Sequence, residues 1–123
     1  MIIFINSLLK MDRDDLITKI TNAIKEAFLN GNPEYTHISF DNSYFGSNDD
    51  IKIIGKKVAK NFNININCLE TDKMESYDYY IFKYMNLYII INFYCDVLAW
   101  GLVNYKLLIV KTREEALRYR YGG

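Results

Sequence analysis

The sequence predicts an α+β fold: one domain with a mixed, mainly antiparallel five-stranded sheet and three helices, in the order α-β-α-β-β-β-β-α. Three observations carry that reading. The stretch 77–110 (YDYYIFKYMNLYIIINFYCDVLAWGLVNYKLLIV) is dense in β-branched and aromatic residues, which suit half-buried strands. Leu16, Ile17, Ile20, Ala23, Ile24, Ala27 and Phe28 recur at helical spacing. Between them, strand-like, helix-like and strand-like segments follow one another within 35–69, the pattern of a right-handed crossover joining two parallel strands.

In chain order, residues 2–9 read equally as a short strand or as a lead-in to the first helix. That helix is expected over 12–29. Asp12 can cap it, and Asp14 and Asp15 suit the positive end of its dipole. Asn30-Gly31-Asn32-Pro33 ends it, with Gly31 at the left-handed cap position. Residues 35–40 (YTHISF) read as a strand, and 41–48 (DNSYFGSN) carries turn chemistry. A second helix is expected over 49–61. Ile51, Ile54, Val58 and Phe62 share one side, Lys52, Lys56, Lys57 and Lys60 the other, and Gly55 allows close approach to the sheet. The period-two run 62–69 (FNININCL) predicts a strand, and Thr112-Arg113-Glu114-Glu115 predicts a capping box opening a C-terminal helix.

Within 77–110, polar breaks divide the chain into strands at 77–84, 87–94 and 102–110. A two-residue turn at Met85-Asn86 sets Tyr84 against Leu87, Phe82 against Ile89 and Tyr80 against Ile91. One face then gathers Tyr80, Phe82, Tyr84, Leu87, Ile89, Ile91 and Phe93. The other gathers Tyr77, Tyr79, Ile81, Lys83, Tyr88, Ile90, Asn92 and Tyr94. Met-Asn lacks the glycine typical of such turns, and a three-residue loop would exchange the faces of one strand relative to the other.

Composition narrows the function classes. Fifteen basic and 15 acidic residues leave no net charge to attract nucleic acid or an anionic membrane. Cys68 and Cys95 match no metal or redox spacing, so reduced thiols and a cytoplasmic location are expected, with no cofactor. The apolar start lacks a basic lead-in and runs into Asp12, so no secretory signal is expected. Asn86, Asn92, Asp96 and Asn104 argue against a membrane span, which needs about 20 mostly apolar residues.

No residue set argues strongly for catalysis. His37, Ser39 and Asp41 share one side of a strand, but alternate strand residues stand about 6.6 Å apart and project in parallel. The single glycine in Phe45-Gly46-Ser47-Asn48 is no phosphate loop, and Asp49 and Asp50 would repel a phosphate. The expected function is therefore non-catalytic binding to another protein or to a second copy of the chain. The surface expected to carry it is the tyrosine-rich face: Tyr77, Tyr79, Lys83, Tyr88, Asn92 and Tyr94. Inhibitors, immunity proteins and viral or mobile-element antagonists of host defence share this size, which is analogy alone. The alternative is a nucleic-acid-binding module using Lys52, Lys56, Lys60, Arg118 and Arg120, basic residues partly interleaved with aromatics.

Overall fold

The computed structural model describes residues 12–45, 50–64, 77–95 and 102–118. In order they form α1 (Arg13–Leu29), β1 (His37–Phe45), α2 (Asp50–Lys60), β2 (Tyr77–Tyr84), β3 (Leu87–Cys95), β4 (Leu102–Val110) and α3 (Arg113–Arg118). The four strands make one antiparallel sheet in the order β1-β4-β3-β2. The fold is α+β, with three helices and four strands among the described residues.

The β2–β3 hairpin sets the geometry. Its register pairs Tyr84 with Leu87, Phe82 with Ile89 and Tyr80 with Ile91, as a two-residue turn requires. Met85 (φ 52°) and Asn86 (φ 64°) both adopt the left-handed conformation of a type I′ turn. Asparagine tolerates that region; methionine does so at a cost of about 1–2 kcal/mol. The right-handed twist of the two strands favours this turn despite the missing glycine.

One face of the sheet is closed by α1 and α2. Leu16, Ile20 and Ile24 of α1 and Ile51, Ile54 and Val58 of α2 pack with Tyr80, Phe82, Ile89, Ile91, Tyr105, Leu107 and Ile109 of the strands. Each fully buried aliphatic or aromatic side chain contributes about 1.5–3 kcal/mol. The helices run in the same direction, since Asp14 lies 4.0 Å from Lys57 and Asn61 Nδ2 donates to Thr21 Oγ1 at 3.1 Å. The exposed ion pair adds little; the Asn61–Thr21 bond satisfies the hydroxyl of an otherwise buried threonine.

Gly55 is where α2 meets the sheet. A Cβ added there would overlap the Tyr80 side chain from Cβ to Cδ1. The absent side chain at this position is what lets the helix backbone rest against a buried ring.

Caps follow the sequence closely at α1. The Asp15 N–H donates to Asp12 Oδ1 at 2.9 Å, and Gly31 takes φ 81° after the last turn. At the end of α2 the expectation fails. Residues 62–64 do not begin a strand: Asn63 is left-handed (φ 58°), Ile64 N–H donates to Ala59 O and Asn63 N–H to Lys60 O. That is a Schellman cap, with asparagine in the left-handed place and Ile64 packed against the core. The rest of the expected strand, 65–69, lies outside the described residues, and with it the fifth strand and the parallel crossover. The ambiguous segment 2–9 lies outside them too.

β1 is longer than expected. It continues through the turn-like Asp41-Asn42-Ser43 to Phe45, with a bulge where the register against β4 shifts between Phe40 and Tyr44. A bulge accommodates residues that a regular strand would disfavour.

Two substitutions test these features. Gly55→Ala is expected to lower stability by about 1–3 kcal/mol or more through overpacking, read from the midpoint of chemical unfolding; an unchanged midpoint would refute the close approach. Met85→Asn is expected to raise stability by about 1 kcal/mol, seen as a higher midpoint at unchanged denaturant slope.

Candidate functional site

The tyrosine-rich face is largely enclosed. Its row Tyr79, Asn92, Lys106 and Ser39 crosses β2, β3, β4 and β1 in register. Tyr79 is fully buried and Asn92 nearly so. Tyr79, Ile81, Ile90, Leu108 and Val110 form a second hydrophobic cluster with Ala116 of α3, and half-buried Tyr88 borders it. The C-terminal helix therefore lies on this face, opposite α1 and α2. Thr112 holds its start: Glu115 N–H donates to Thr112 Oγ1 at 3.1 Å, and that hydroxyl approaches Glu115 Oε1 at 3.3 Å.

Tyr79 and Asn92 are thus interior residues, a correction to the expectation that they meet a partner. Tyr79 belongs to the second cluster, in which Ala116 of α3 joins Leu108, Val110 and Ile90. Burial is not free of polar cost: Asn92 Oδ1 has no hydrogen-bond partner among the described residues, a burden of about 1–3 kcal/mol. Lys83 and Tyr88 remain at the surface, with Lys83 Nζ 5.9 Å from the centre of the Tyr88 ring. Tyr77 and Tyr94 pair with each other at the far end of the hairpin.

The basic residues do not form one surface either. Lys52, Lys56 and Lys60 are exposed on α2, on one side of the sheet. Arg118 is exposed at the end of α3, whose Ala116 packs on the other side, and Arg120 lies outside the described residues. The layer of strands separates the two sets.

His37 and Ser39 are exposed on β1, the end strand of the sheet among the described residues. Among the described residues no three His, Cys, Asp or Glu side chains group as a metal site, and no helix is long and apolar enough to cross a membrane.

The feature that sequence reasoning missed lies at the hairpin end of the molecule. Lys25, Phe28 and Leu29 from the end of α1, Phe62 from the cap of α2 and Tyr84 from the end of β2 line an open cleft of about 320 Å³. Tyr84 joins two of the lining rings: Phe28 edge-on with centroids 5.0 Å apart, and Phe62 tilted at 4.8 Å. Leu29 is 84% exposed and Met85, adjoining Tyr84 in the turn, is 68% exposed. Among the described residues, Lys25 is the one charged side chain in the lining. Phe28, Phe62 and Tyr84 each fall on an apolar stripe that reads as core, and all three do pack against the core cluster; the stripes carry no sign that the same side chains also line a cleft.

Comparison of the sequence with protein-family models finds no match, and comparisons with curated proteins and with solved structures find none of significance. The reading of function accordingly rests on the geometry.

Thr112→Ala should remove the cap of α3 at a cost of about 1 kcal/mol. The check is faster amide hydrogen exchange at Ala116, whose N–H donates to Thr112 O, with exchange in β3 unchanged.

Proposed function

We propose that this chain is a binding protein that acts on another protein, and that the aromatic cleft at the hairpin end is its contact surface. The observation that carries the reading is apolar area left open beside Tyr84 and the two rings packed against it. Leu29 and Met85 project into solvent next to Phe28, Phe62 and Tyr84. Exposed apolar area concentrated in one place marks a site of interaction, and interface anchors are drawn largely from aromatic side chains held in place by neighbours.

The shape favours a side chain of a partner over an enclosed small molecule. Small-ligand sites bury most of their ligand's surface, and this cleft is open. A hydrophobic anchor can lie against Tyr84 between Leu29 and Phe62, while Lys25 selects an acidic residue beside it. Exposed Lys83 and half-buried Tyr88, what remains at the surface of the tyrosine-rich face, belong to a different side of the hairpin.

The nucleic-acid reading has weaker support. Its lysines on α2 form the solvated side of a helix whose other side is core, and the arginine end of α3 lies across the sheet from them.

The test compares partner capture by wild type, by Leu29→Glu/Met85→Glu and by Lys83→Glu/Tyr88→Ala. Loss at the end variant, by about 2 kcal/mol or more in affinity, with retention at the other, supports the cleft. Equal capture by all three refutes it. Binding to single-stranded oligonucleotide that weakens steeply with salt would transfer the function to the lysine face.

A further inference from the structure

Asn30-Gly31, just past the last turn of α1, is the one Asn-Gly step in the sequence. Asparagine is a heat-labile residue, because the backbone nitrogen of the next residue can attack its side-chain amide carbon. Glycine, without a Cβ, leaves that nitrogen least shielded. Both residues are exposed, so water reaches the pair. On chemistry alone, this step is the first place at which the chain would deamidate.

The fold holds the reacting atoms apart. Asn30 adopts φ −73° and ψ −6°. At a ψ this close to zero the Gly31 nitrogen eclipses the backbone nitrogen of Asn30, so it is rotated away from the Cβ that carries the amide. Ring closure needs the opposite: that nitrogen must swing toward Cβ and give up its proton. Here its N–H donates to Phe28 O at 3.2 Å, while Asn30 N–H donates to Glu26 O at 2.9 Å. Gly31 takes φ 81°, the left-handed place that closes a helix end. The loop beyond is tied as well, since Thr36 N–H donates to Pro33 O and Tyr35 N–H to Ile109 O.

We propose that Asn30 is a deamidation site guarded by the end of α1: it stays intact while the last turn is closed and converts when that turn frays. In the frayed chain the Gly31 nitrogen bonds to Asn30 Cγ and its proton passes to water. The bond from Cγ to the amide nitrogen breaks, and that nitrogen leaves as ammonia. A water molecule then opens the resulting succinimide at either carbonyl, leaving aspartate or isoaspartate; no oxidant or reductant takes part. The new carboxylate stands at the negative end of the helix dipole and four residues beyond Glu26, a like-charge pair. Conversion therefore favours the frayed state, and Phe28 and Leu29, which line the cleft, belong to the turn that loosens.

Peptide mapping by mass spectrometry of the full chain, held at neutral pH and body temperature, reads the conversion at Asn30. Unfolded in urea, the chain is expected to convert at Asn30 ahead of its other asparagines. Folded, it should convert at least about tenfold more slowly, the protection of a closed helix end. Glu26→Gly changes an exposed residue and leaves the Asn-Gly step intact. Its helix-weakening glycine should speed conversion in the folded chain about threefold. Asn30→Asp should speed amide hydrogen exchange at Gly31 relative to wild type. Equal rates in the folded and unfolded chain overturn the proposal, as does an Asn30 that stays intact in urea while other asparagines convert. A folded-state rate indifferent to Glu26→Gly overturns the fraying route, and unchanged exchange at Gly31 overturns the loosening of the turn by its product.

Discussion

Everything in this fold depends on the β2–β3 register. A strand has side chains of period two, so a slip of one residue would carry Phe82 and Tyr80 from under α1 and α2 to the opposite face. The Met85-Asn86 turn holds the register at which Phe82 meets Ile89 and Tyr80 meets Ile91. Because β4 pairs with β3 in turn, setting Ile89 against Ile109 and Ile91 against Leu107, the hairpin fixes which side chains three strands deliver to the helices. Gly55 then lets α2 settle onto Tyr80. The strained Met85 is retained because so much packing agrees on one arrangement.

The same register explains where the tyrosines go. Alternation divides them between two closed clusters: Tyr80 and Tyr105 in the core beneath α1 and α2, Tyr79 in the cluster that receives Ala116 of α3. The surplus of rings that sequence alone assigns to a partner is in large part used to bury both faces of a thin sheet. Among the described residues, the hairpin end stays accessible, where helix, cap and turn leave Leu29 and Met85 uncovered.

Local signals were legible wherever one segment decides its own conformation. Period and capping residues place α1 nearly to the residue. The capping box at Thr112 places α3, and alternation places the hairpin together with its two faces. Failures occur where two local readings compete or where a site is assembled from afar. Asn63 sits in an alternating run, yet its tolerance of positive φ makes it the cap of α2. Asp41-Asn42-Ser43 carries turn chemistry, yet it is absorbed as a bulge by pairing with β4. The second cluster brings Tyr79 together with Ala116, more than thirty residues later, and the cleft brings together Lys25, Phe62 and Tyr84. No spacing rule within a window of ten residues connects such positions.

Closing both faces of a sheet constrains how the molecule can meet others. Among the described residues the open apolar area lies across the ends of the strands, beside the turn. The cleft sits at the end of the sheet where β1 begins, because Thr36 bonds Ile109 and Ile109 faces Ile89 near the turn. A partner seated there would meet the end of α1, the cap of α2 and the hairpin together, and would leave both packed faces of the sheet undisturbed.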